Sequence, residues 1–87
     1  DFKITETAAF QLKNLLVEIE GRKIILGPEK ALIGKIKNLF HFEIWIKLER
    51  STQAQEHFKH EMAQKISELH GDKRFRSVRF LVDVDPS

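Results

Sequence analysis

The sequence predicts an α+β fold: a two-layer sandwich with two helices packed on one face of a mainly antiparallel sheet. Two observations predict it. Apolar residues recur at three- and four-residue steps in two segments and alternate with polar ones in others, the periods of an amphipathic helix and of a half-buried strand. These segments interleave within 87 residues, 41% of them hydrophobic, a size suited to one core and one domain spanning residues 1–87.

From Thr5 to Glu20 the residues Ala8, Ala9, Leu12, Leu15, Leu16 and Ile19 share one helical face. Gly21 follows as a stop signal, because a residue without a Cβ adopts left-handed backbone at little cost. Ile24-Ile25-Leu26 reads as a short strand that Gly27-Pro28 ends in a turn, since proline cannot donate to a ladder. Ala31 to Lys37 reads as a second extended stretch or as one helical turn. His41 to Leu48 alternates, with Phe42, Ile44, Ile46 and Leu48 on one face and His41, Glu43, Trp45 and Lys47 on the other.

Ser51-Thr52 opens a second helix, and Gln55, three residues after Thr52, has the spacing of a capping box. Phe58, Met62, Ile66 and Leu69 form its apolar stripe, and Gly71 closes it. A last strand places Val78, Phe80, Val82 and Val84 on one side and Ser77, Arg79, Leu81 and Asp83 on the other, with Pro86 as its stop. This order matches a split β-α-β (ferredoxin-like) sandwich if one strand stands before the first helix. Only Asp1 to Ile4 remain there, so a truncated first strand is expected.

The composition excludes several function classes. Cysteine is absent, which removes disulfides, thiol catalysis and cysteine-ligated zinc and fits a reducing, cytoplasmic setting. No apolar run approaches the roughly 20 residues needed to span a bilayer, and no membrane partner is expected. The net charge of +2, from 15 Lys plus Arg against 13 Asp plus Glu, is too mild to imply nucleic-acid binding by itself. His57 and His60 lie on one helical face, but no third ligand accompanies them, so no metal is expected. Asp83 and Asp85 lack a neighbouring histidine or nucleophile and read as strand-end residues, so no catalytic residue is assigned.

Three groups of residues fit nucleic acid. Trp45 with His41, Lys47 and Arg79 would stand on the sheet face opposite the helices, an aromatic ringed by cations like a platform for stacking bases. The alternative is that Trp45 and Leu81 bury against a neighbouring domain while the cations pair with Glu43 and Asp83. Lys30, Lys35 and Lys37 flank two glycines in a loop able to hold phosphates, or else form a solvated hairpin. Lys73-Arg74-Phe75-Arg76 is a second basic cluster, or a solvated turn.

Ile25-Leu26-Gly27-Pro28, the strand Phe42 to Lys47 and the ending Val82-Asp83-Val84-Asp85-Pro86, in this order and spacing, resemble the C-terminal domain of the PriA (primosomal protein N-prime) replication-restart helicases over most of the chain. The resemblance implies a fold similar to a small-subunit ribosomal protein and a DNA-contacting accessory role. Its parent would be an ATP-dependent 3′-to-5′ helicase that recognises replication forks and promotes primosome assembly. ATP and zinc would bind upstream in that parent, with no cofactor in this segment. The implied partners are forked or single-stranded DNA, the helicase core of the same chain, single-stranded DNA-binding protein and primosome proteins. The family's arginines before the central strand are replaced here by Lys35, Lys37 and Asn38, which puts bidentate phosphate contacts in doubt. The alternative to DNA contact is a structural domain that docks on the helicase core. A missing first strand would also leave unpaired edges through which the isolated segment could dimerise.

Overall fold

The computed structural model describes residues 2–32 and 40–80. Helix α1, Phe2–Val17, is followed by strand β1, Lys23–Leu32, strand β2, Phe40–Leu48, helix α2, Thr52–His70, and a 3-10 turn, Lys73–Phe75. The fold is α+β: two helices pack against a two-stranded antiparallel sheet, as the periodicities predict.

Helix α1 starts earlier than its apolar stripe suggests, and Phe2 to Ile4 form its first turn where the tail of a strand was expected. It also ends earlier. The chain leaves α1 at Val17 through bonds from Glu18 and Ile19 to the carbonyls of Leu15 and Leu16. Gly21, at φ 115°, then belongs to the turn into β1. Lys23 Nζ secures that turn by donating to the carbonyls of Ile19 and Gly21.

Strand β1 does not stop at Gly27-Pro28 as expected. Leu26 pairs with Trp45 and Glu29 with Glu43, so β1 carries one extra residue between these rungs, a bulge. Proline is tolerated there because the ladder is already interrupted. Gly27 is required for two reasons. Its φ is 100°, and a Cβ would stand 2.5 Å from the Glu43 carbonyl oxygen.

The cap of α2 also differs from the expected box. Ser51, not Thr52, is the N-cap, and its Oγ accepts from the Ala54 N–H at 3.2 Å. Gln55 Nε2 donates to the Glu49 carbonyl at 3.2 Å, tying the helix start to the end of β2.

The core lies between the layers. Ala8, Leu12, Leu16 and Ile19 of α1 and its exit turn meet Ile46 and Leu48 of β2 and Phe58, Met62 and Leu69 of α2. Phe75 is fully buried in the same cluster, held by the 3-10 turn that packs on both helices. Val78 and Phe80 pack against this core without joining a strand, and His70 fastens them: its Nε2 lies 2.9 Å from the Val78 carbonyl oxygen and its ring 4.8 Å from that of Phe80. The remainder of the expected last strand, including Leu81, Val82, Asp83, Val84 and Asp85, and the stretch containing Lys35 and Lys37, lie outside the described residues.

Two substitutions test this packing. Phe75→Ala should destabilise the domain by about 3–5 kcal/mol, the usual cost of emptying a buried aromatic site, measured by urea unfolding. Gly27→Ala should cost about 1–3 kcal/mol through strained backbone, although it adds only a methyl group.

Candidate functional site

Burial of Ile46 and Leu48 on the helix side turns the alternate residues of β2 outward. His41, Glu43, Trp45 and Lys47 therefore line the open face of the sheet, with the sides the alternation predicts. The ladder completes the face from β1. Ile24 stands opposite Lys47, Leu26 opposite Trp45 and Glu29 opposite Glu43.

Ile24, Leu26 and Trp45 form one apolar stripe at the centre of this face, each more than half exposed, at 56%, 60% and 58%. Exposed Val17 extends the stripe over the sheet end, where it lines an open groove with Arg22, Ile24, Lys47 and Glu49. The charges around the stripe are mixed. Glu43 is 2.8 Å from the Nε2 of His41, on the same face two residues away, and Glu29 stands across from Glu43. Lys47 has no acidic partner among the described residues.

Of the residues expected at a nucleic-acid platform, the structure brings together His41, Trp45 and Lys47. Arg79 is exposed on the segment between Val78 and Phe80, which His70 holds at the end of α2. Lys30 is exposed on β1 opposite Phe42, whose row faces the helices. Arg74 and Arg76 belong to the 3-10 turn on the helix layer, apart from the sheet face. His57 and His60 are exposed on α2, and among the described residues no three metal-ligating side chains converge. Among the described residues no helix is long and apolar enough to cross a membrane.

Arg74 is engaged on its own turn. Its guanidinium sits 2.8 Å from Asp72 Oδ2 and 4.7 Å from the centre of the Phe75 ring, while its backbone N–H donates to Asp72 Oδ1. These bonds, the side-chain ones first, hold the Asp72 carboxyl below its usual range and raise the Arg74 guanidinium.

Ile24 and Leu26 are the apolar members of the face that the sequence leaves unassigned. Ile24-Ile25-Leu26 is a continuous apolar run without alternation, so neither side is marked as inward. The signal that identifies them is the partnership with β2, whose pattern is unambiguous. Comparison with protein-family models, with curated proteins and with solved structures gave no match to this chain.

The carboxyl of Asp72 should titrate at lower pH in the native chain than in Arg74→Ala, followed by NMR. A carboxyl depressed by folding stabilises above its unfolded pKa, and that contribution is lost as pH falls through the depressed value. Arg74→Ala should therefore flatten the acid limb of the stability curve.

Proposed function

We propose that this chain is a non-catalytic docking domain whose open sheet face is buried against protein, as an accessory part of a cytoplasmic PriA-like replication-restart helicase. The observation that carries the docking role is the contiguous stripe of Ile24, Leu26 and Trp45, exposed on a face whose charges are mixed. An apolar centre with a charged rim is the makeup of a protein interface. A surface that tracks phosphates presents a run of cations instead, and Arg74, Arg76 and Arg79 stand away from the sheet face, on the 3-10 turn and the segment after it. The helicase context rests on the order and spacing of the Leu-Gly-Pro, central-strand and Asp-Val-Asp-Pro segments.

A second reading, direct contact with forked or single-stranded DNA, is favoured by one observation: exposed Trp45 has Lys47 two residues along the same face. Base stacking on an aromatic beside a cation contributes about 1–3 kcal/mol per base.

Labelled forked and single-stranded DNA titrated at two salt concentrations, with Trp45 emission followed throughout, separates the two. Docking predicts unchanged DNA anisotropy and unmoved emission. Salt-sensitive binding accompanied by quenching of Trp45 would overturn docking in favour of the stacking platform.

A further inference from the structure

We infer that the open sheet face docks a second copy of this chain, in a two-fold arrangement with Trp45 against the partner's Trp45. This inference rests on the reading of that face as a protein-docking surface and names its occupant.

The charge order along the outward row of β2 selects this partner. That row reads His41, Glu43, Trp45, Lys47, and Glu49 beyond the strand lines the same groove as Lys47. About Trp45 the order is antisymmetric. Glu43, two residues before it, is matched by Lys47 two residues after, and His41, four before, by Glu49 four after.

A two-fold axis lying between two facing copies, across the strands and through the Trp45 rung, inverts this row. Lys47 then opposes the partner's Glu43, and symmetry supplies the reciprocal pair, as any isologous interface does. The same operation sets His41 towards the partner's Glu49 and Leu26 on the partner's Leu26. Aligned sheet packing, with strands crossing at about 30°, is compatible with this arrangement. Turning one copy about the strand direction instead would set Glu43 against the partner's Glu29, two carboxylates in opposition, so the charges select the first axis.

The side chains are disposed for it. Glu43 holds His41 through Oε2, which leaves Oε1 to accept from the partner's Lys47. Lys47 itself is exposed and has no acidic partner among the described residues. Trp45 and Leu26 supply the apolar centre of the interface and the two lysine–glutamate pairs its direction, while Ile24, on the Lys47 rung, meets the partner's Glu29. A two-stranded face is small by the standard of permanent dimers, so the association belongs to the transient, micromolar class. This surface is the face of the sheet, not its edge.

Sedimentation of the full 87-residue chain over a concentration series tests the proposal. The expected result is a monomer–dimer equilibrium that tightens as salt is lowered. Lys47→Glu and Glu43→Lys should each weaken it by about tenfold or more, because each opposes like charges twice. The double variant, Lys47→Glu with Glu43→Lys, should regain most of the loss, since the exchange keeps every opposition intact. Both positions are solvent-accessible, and circular dichroism should show all three variants folded.

A chain that stays monomeric throughout overturns the proposal, as does a dimer indifferent to both single substitutions. The DNA titration distinguishes the failures. A monomer whose Trp45 ignores DNA loses the self-partner but keeps docking, and a monomer whose Trp45 is quenched by DNA loses both.

Discussion

Ile46 and Leu48 reach the core from β2, and the direction of every other side chain on that strand depends on this. A strand's period is two, so a slip of one residue would exchange its faces completely. The slipped arrangement would expose two large aliphatic side chains, each stabilising by about 1.5–3 kcal/mol when buried. It would also push Lys47 toward the apolar layer with no partner, a further penalty of several kcal/mol. The apolar stripe of α1, Ala8, Leu12 and Leu16, thus holds the register from beneath. The open face inherits its composition from packing on the other side of the sheet.

The helix layer is closed by elements with little regular structure. Phe75 enters the core from a single 3-10 turn, which Asp72 starts by accepting from the Arg74 N–H. The chain beyond it is pinned by His70. This closure disperses the basic residues, since Arg74 is spent on Asp72 and Phe75 and Arg79 stands beside the end of α2. Among the described residues the arginines are thus spread over separate elements.

Much of this was legible in the residues themselves. The α1 stripe, the alternation of β2 and the stripe of α2 declare their inward sides, because period and burial agree at Leu12, Leu16, Ile46, Leu48, Phe58 and Met62. Phe75 was not legible as core, since one aromatic within the run Lys73-Arg74-Phe75-Arg76 has no periodic company and takes its place only from tertiary packing. Gly27-Pro28 carries the signature of a turn, and nothing local distinguishes a turn from a bulge. The partner strand decides, by continuing to pair with Glu29 and Lys30 beyond the proline. Ser51 displaced Thr52 as the cap of α2 for a comparable reason, as adjacent hydroxyl residues are equivalent until the exit from β2 fixes where the helix begins.

The extra residue in β1 acts as a phase shift along the strand. Counting straight on from Leu26, an unbroken ladder would set Glu29 opposite Phe42 and Lys30 opposite His41, sending the acid toward the helices and the base outward. The inserted residue reverses this assignment, and Glu29 meets Glu43 while Lys30 meets Phe42. A single backbone irregularity, held by a glycine that cannot carry a Cβ, therefore sets the sign of charge shown beside Trp45. The same sequence paired without the bulge would invert that sign with no change of residue.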